Sequence, residues 1–427
     1  MKSKKFIFLF VATIIIITAS IYLFDSFGSK IVNEKALELD LPDFITHGDI
    51  SLSTIGSNVL IKDVLIKMDN EHQTVYCDEI ILGTSYKEIF TLIKNKELKE
   101  LGAFNLELKN IIINFDNIIK HKIASNILID FDGFLTKEML ENIDHEFPNT
   151  DQTLSVKISN FNIPSTQSSY LQKLIPNLQP DILTDCKFTL SFLPKSKQIS
   201  LKEFVLKNQY IKSIVNLKLD YNGDKPDNMV PIKFDFEGES DFDFDDLLFG
   251  DNDMSVSLGK GGLNCAFFID GNLDDMDESD IIKNVKGEIN FAIKNFKVNA
   301  SNKIIKNIPG LKLKNNEIRL RNFRNELKWD GDNLVNNLDI SSSLINLSSN
   351  IDVKLEFNRR GDPDIRKSSI NKCMLRIGVL NEDLDNLVQN FEKSMLNGKL
   401  LPREGEDIVL NVTGTFAKPN IEGLDLY

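Results

Sequence analysis

The chain is predicted to be mainly β: an N-terminal transmembrane helix followed by a long run of antiparallel strands with a few short helices. Three observations lead there. Apolar and polar residues alternate with period two in one stretch after another, as where Val215, Leu217, Leu219 and Tyr221 are set between Asn216, Lys218 and Asp220. Such alternation gives a strand one apolar and one wet face. Apolar stripes at helical spacing are few by comparison. Finally, residues 6–24 run without a charge, and as a helix rising ~1.5 Å per residue they reach ~28 Å, about the hydrocarbon thickness of a bilayer.

That first stretch sets the compartment. Lys2, Lys4 and Lys5 precede it and Asp25 follows at once, so the positive-inside bias keeps the N-terminus cytoplasmic and exports the body. A cleaved signal peptide shares the basic start and apolar run. Against it, the run exceeds the ~7–15 residues of a signal core, and Thr18-Ala19-Ser20 is followed by the still apolar Ile21-Tyr22-Leu23-Phe24. An uncleaved single-pass anchor is the expectation.

The 427 residues suffice for a sizeable core. A net charge of −13 disfavours a nucleic-acid partner, which calls for a basic face to neutralise phosphates. Cys77, Cys186, Cys265 and Cys373 are far apart and form no C-x-x-C pair, which leaves metal knuckles and thioredoxin-type redox unsupported. Buried thiols are the simple reading, and an oxidising compartment would allow three pairings.

Past the anchor, Pro42 stops a mixed segment, and 49–53, 59–67 and 75–82 read as strands with Gly56-Ser57-Asn58 as a turn. Ser85-Tyr-Lys-Glu88 is a capping box that opens a helix, continued by Ile89, Phe90 and Ile93 and stopped by Gly102. Strands are expected over 104–115 and 123–131, then a short helix over 136–147. From Thr153 the pattern is strand after strand. Ile232, Phe234 and Phe236 alternate with charges, as do Ile289, Phe291 and Ile293, and Ile351, Val353, Leu355 and Phe357. One later helix is clear, with Asn381 as N-cap, Leu384, Leu387, Val388, Phe391 and Met395 on one face, and Gly398 as its stop. An internal echo links 156–163 to 291–298, each followed by an Ile-Pro-(Asn/Gly)-Leu close. Such echoes mark architectures built by repetition.

Sites of chemistry are scarce. Asp241-Phe-Asp-Phe-Asp-Asp246 begins like a calcium loop, but Asp246 stands where the turn needs Gly and Asn252 where a bidentate Glu belongs. A strand with Phe242 and Phe244 inward and aspartates in water accounts for it. His47, His72, His121 and His145 show no zinc-binding spacing, and no G-x-S-x-G places a nucleophile. Gly259-Lys-Gly-Gly262 lacks the phosphate-loop pattern and reads as a hairpin turn. No enzyme and no cofactor is expected.

The chain closes on Val409 to Val412, then Gly414, Thr415, Pro419 and Ile421: an aliphatic strand, Gly-Thr, and Pro followed by an apolar residue. This ending resembles that of AsmA-like proteins of the bacterial envelope, and the anchor, early strands and helix-plus-strand pair over 85–115 are similar in outline. The known large relatives are much longer. The resemblance implies an inner-membrane protein whose body lies in the periplasm as an elongated, curled antiparallel β-sheet groove that carries phospholipid toward the outer membrane. Residues 1–24 are then tip and anchor, 25–150 an N-terminal β module with the capped helix 85–102, and 151–427 the groove region.

Pattern alone says that a one-sided sheet must cover its apolar face, with a second sheet, a helix, a partner or lipid. Some twenty strands in one sheet at ~4.8 Å would extend ~100 Å, whereas two shorter sheets facing each other use the same pattern. Val215, Leu217, Leu219, Ile289, Phe291, Ile351, Val353, Leu355 and Phe357 are the candidate acyl-chain contacts on the first arrangement and core residues on the second. Membrane phospholipids are the expected partner. A non-enzymatic envelope scaffold of closed β domains, with protein partners, is the alternative function, and a calcium- or glycan-binding surface module a third.

Overall fold

The computed structural model describes residues 45–53, 57–67, 73–85, 100–115, 119–136, 150–162, 182–223, 230–250, 254–271, 283–300, 317–358 and 362–423, with positions 30, 276 and 280. The stretch 6–24, the body of the helix expected over 85–102, and nearly all of that over 136–147 lie outside these residues. Among those described, no helix is long and apolar enough to cross a membrane. The chain is mainly β and antiparallel, and divides into two compact units, one essentially of residues 1–164 and 183–197, the other of 165–182, 198–223 and 228–427.

The first unit holds β1 (Ile45–Thr46), β2 (Ile50–Ser53), β3 (Asn58–Lys67), β4 (Gln73–Gly83), β5 (Glu100–Leu101), β6 (Phe104–Phe115), β7 (Ile119–Asp132), β8 (Leu135–Thr136), β9 (Gln152–Phe161) and β10 (Thr184–Leu193). Strands β1 and β2 both pair with β3, and the ladder proceeds β3-β4-β6-β7-β9-β10. Its core is a line of side chains from successive strands, Val64, Cys77, Ile111 and Ala124, with Ile61, Leu108 and Ile127 packed against them.

The second unit holds β11 (Gln198–Lys207), β12 (Ile211–Asn222), β13 (Val230–Phe244), β14 (Phe249–Gly250), β15 (Met254–Ser257), β16 (Gly259–Asp270), β17 (Val285–Ala300), β18 (Glu317–Asp330), β19 (Asn333–Ser342), β20 (Ile345–Lys354), β21 (Ser369–Val379), helix α1 (Glu382–Ser394), β22 (Arg403–Glu404), β23 (Asp407–Thr415) and β24 (Lys418–Ile421). Its ladder reads β11-β12-β13-β16-β17-β18-β19-β20-β21-β23-β24, with β15 beside the far end of β17. Among the described residues nothing joins the two ends of this ladder, so the sheet is open. At ~4.8 Å per strand, eleven strands span ~48 Å.

The internal echo has a conformational cause. Asn160 and Asn295 have φ of 53° and 62°, a left-handed backbone inside a strand. Three further strands carry the same device in matching sequence: Ile61-Lys-Asp-Val64, Leu108-Lys-Asn-Ile111 and Leu201-Lys-Glu-Phe204, with φ of 52° at Asp63, 53° at Asn110 and 49° at Glu203. In an unbroken strand, residues three apart point to opposite faces. The left-handed residue acts as a bulge and resets the phase, so apolar residues on both sides of it share one face. Thus Ile61 and Val64 meet in one cluster, as do Leu108 and Ile111. Neighbouring strands collect the amides that the bulge releases, Asp185 Oδ1 accepting from Asn160 N at 3.0 Å and Asn216 Oδ1 from Glu203 N at 2.8 Å.

The glycines of 259–262 correct the sequence expectation. They open β16 as strand residues and do not form a hairpin turn. A Cβ at Gly261 would stand 2.5 Å from Phe242 Cζ, so the glycine clears room for Phe242, whose ring reaches Phe291 at 6.3 Å across the intervening strand. Asp241–Phe244 is strand, and Lys260 Nζ holds Asp243 at 2.7 Å.

Helix α1 starts where expected, with Asn381 Oδ1 accepting from Leu384 N at 3.1 Å. Its last turn is fastened by Glu392, a buried carboxylate that accepts from Leu401 N and from Arg403 Nη2, each at 3.0 Å. Burial works against charge on Glu392, but the Leu401 amide and the Arg403 guanidinium outweigh it and hold the carboxyl below its usual value.

Two outcomes follow. Asn295→Val, which forces a β-branched residue into the left-handed region, should cost about 1–2 kcal/mol in urea unfolding, and Asn295→Gly should lie within a few tenths of the parent. Because the folded-state pKa of Glu392 is depressed, its clamp is fully present above the unfolded carboxylate value of ~4.3 and is lost as pH falls through the lower folded value. Amide exchange of α1, corrected for intrinsic rates, should therefore hold steady from pH 7 to 5 and accelerate in stronger acid, and Glu392→Gln should show the acid behaviour already at pH 7.

Candidate apolar sheet face

Residues directly opposite in an antiparallel ladder point to the same side, so the register places each candidate side chain on a face. One row crosses the entire second sheet: Phe204, Val215, Gly238, Cys265, Ile289, Leu327, Asn336, Ile351, Cys373, Val412 and Ile421. The row beside it runs Leu201, Leu217, Phe236, Phe267, Gly287, Trp329, Leu334, Val353, Ile370, Gly414 and Pro419. Leu219 and Phe291 belong to the flanking rows, opposite Phe234 and Leu263.

Seven of the nine residues named from sequence therefore share one face. Leu355 and Phe357 do not continue it as strand, because β20 ends at Lys354. Leu355 N donates to Asp332 O at 2.7 Å, Phe357 bridges to Pro363, and its ring lies 5.4 Å from Lys283 Nζ.

The face is largely uncovered by described residues. Val353, Ile370 and Ile408 are buried, but the other apolar residues of these rows remain half-exposed. A second sheet or a helix laid over the middle strands would bury them as it buries an ordinary core. The alternative of two facing sheets thus finds no second layer among the described residues of this unit.

Aromatic rings give the face its relief. Phe236 lies 6.3 Å from Phe267, and Phe291 lies 5.9 Å from Phe323 at a steep angle. Sequence reasoning named only Phe291 of these, although the alternation of 232–236 carried the signal for Phe236. Polar groups on the same side pair with one another, as groups removed from water must. Ser213 and Ser240 hydroxyls meet at 2.7 Å, and Asn336 Nδ2 donates to Asn325 Oδ1 at 2.8 Å. The buried Ser349 hydroxyl has no partner.

The opposite face is mostly polar. Lys218, Asp235, Phe268, Lys286 and Asp330 form one of its rows, knitted by ion pairs such as Lys286 with Asp330 at 3.3 Å. A trough of about 700 Å³ opens there over β11 to β17, lined by Ser200, Lys218, Asp235, Glu237, Phe268 and Glu288 among others. The two faces therefore offer different chemistry, one van der Waals contact and the other charge.

The four cysteines are free thiols. Cys265 and Cys373 stand in the first apolar row, and burial raises the pKa of both. Among the described residues no cluster of three or more His, Cys, Asp or Glu side chains is disposed to hold a metal ion. The chain matches no protein-family model, no curated protein and no solved structure.

The unpartnered hydroxyl of Ser349 sets a test of how dry the face is. Ser349→Ala removes a buried polar group that makes no hydrogen bond, and should raise stability by about 1 kcal/mol in urea unfolding, whereas a loss of that size would reveal a bond to water.

Proposed function

We propose that this protein binds lipid acyl chains along the apolar face of its second sheet and supports phospholipid movement or outer-membrane assembly from a membrane anchor at residues 6–24. The reading rests on one observation above others: two adjacent rows of largely apolar side chains cross eleven strands, and described residues leave most of them half-exposed. Open apolar area on this scale marks a surface meant to be covered. An acyl chain suits it because a row of methyl, methylene and ring groups makes no directional demand. Each CH₂ taken from water contributes ~0.8 kcal/mol, so ~15 of them supply on the order of 10 kcal/mol. No bond is made or broken, and no catalytic group is required.

On this reading the protein is an AsmA-like member of the envelope, anchored in the inner membrane with its body in the periplasm. The resemblance of residues 409–421 to the close of that family and the uncharged N-terminal stretch both favour it. The sheet then serves as a surface along which lipid travels shielded from water on one side.

The full chain, extracted from membranes and purified, should carry phospholipid detectable by mass spectrometry of its organic extract. Val215→Asp, Ile289→Asp and Ile351→Asp place a carboxylate in one row and should each lower the lipid per chain several-fold, while Asn216→Asp and Asn290→Asp on the opposite face leave it unchanged. Equal lipid in all five variants would refute the acyl site.

A further inference from the structure

Helix α1 leaves part of its apolar stripe in water. Leu384 and Val388 are half-buried, whereas Leu387 and Phe391 are each 45 % exposed and Met395 is 69 % exposed. Leu400, just beyond the helix, is 70 % exposed. Large apolar side chains clustered on one helix mark an interaction surface. Its aim is fixed at both ends by the Asn381 cap and by the Glu392 bonds to Leu401 N and Arg403.

Two features of the helix identify what covers it. The first is charge: exposed Lys393 and Lys399 neighbour Met395 and Leu400 in sequence. Ammonium groups beside apolar side chains suit a phospholipid surface, where the cations meet phosphate oxygens and the apolar groups enter the acyl boundary. The second is continuity. Helix α1 leaves β21 from the apolar face itself, since Val379 stands opposite Ile345 on that side and Leu380 N then donates to Leu344 O at 2.9 Å. Apolar surface runs from sheet to helix without a polar break, for Leu380 is also exposed.

We infer that α1 docks on a phospholipid bilayer through Leu387, Phe391, Met395 and Leu400, and that acyl chains pass between that bilayer and the sheet at this point. The second half of this statement rests on the acyl-binding reading of the sheet. The first half stands on the helix alone.

One fluorescence experiment separates them. The chain has a single tryptophan, Trp329, which lies in the second apolar row, so the native protein reports on the sheet. A Trp329→Phe, Phe391→Trp chain reports on α1, and Trp329→Phe, Gln389→Trp serves as the control on the polar side of the helix. Each full chain is mixed with phosphatidylcholine vesicles whose acyl chains carry bromine, which quenches indole on contact. The inference expects quenching of at least twofold over unbrominated vesicles for the native indole and for that at position 391, little at 389, and loss at 391 when Leu387→Glu and Met395→Glu are added. An unquenched indole at 391 beside a quenched Trp329 overturns docking and leaves the acyl site standing. Quenching at 391 without quenching of Trp329 supports docking and overturns passage to the sheet. Protection of 391 that grows with protein concentration and needs no vesicle makes a second copy the occupant, and overturns docking. Near-ultraviolet dichroism of the doubly charged variant should match the parent, because both replaced side chains are exposed.

Discussion

Strand pairing satisfies backbone groups in two directions only, and it leaves the third, the direction perpendicular to the sheet, to the side chains. In the second unit that direction is polarised: largely apolar groups on one side from Phe204 and Leu201 to Val412 and Ile421, charges and amides on the other. Nearly everything else in the unit answers to that polarity. Serines and asparagines on the apolar side are paired off, glycines clear space for phenyl rings, and ion pairs such as Lys286 with Asp330 tie the wet side together.

Keeping such polarity over strands of ten to sixteen residues is a matter of phase. A strand twists as it lengthens, and a slip of one residue turns its apolar set to the wrong side. The recurrent left-handed residue, Asp63, Asn110, Asn160, Glu203 or Asn295, is where the chain takes up that slip. Asparagine and aspartate tolerate this conformation better than other side-chain-bearing residues, which accounts for four of the five. The device recurs at long strands and brings the apolar residues on either side of it back to a common face.

The fold was legible wherever period two was unbroken. Strand 104–115 was read with its final bounds, the strands bearing Val215, Ile289 and Ile351 were recognised, and Asn381 marked the start of α1. What resisted reading were the interruptions of period. Lys-Asn inside Leu108-Lys-Asn-Ile111 looks like a lapse of alternation unless the positive φ is known, and the glycines of 259–262 look like a turn when they are relief for Phe242. The candidate face was legible in kind, with Val215, Leu217, Leu219, Ile289, Phe291, Ile351 and Val353 assembled on it, but Leu355 and Phe357 lay past the point where β20 leaves the ladder. Phe236, Phe267 and Trp329 joined them only through register, which depends on long-range pairing that local pattern does not contain. The outward stripe of α1 was visible in the sequence as amphipathicity; that half of it lies in water was not.

The central claim is that one face of this sheet meets lipid and the other meets water. Photo-activatable residues placed singly at 215, 216, 217, 218 and 219 along β12, and irradiated in native membranes, test it in the most direct way. The account predicts period two: adducts of phospholipid mass at 215, 217 and 219, and none at 216 and 218. Adducts to protein at the odd positions, or lipid at neither set, would contradict it.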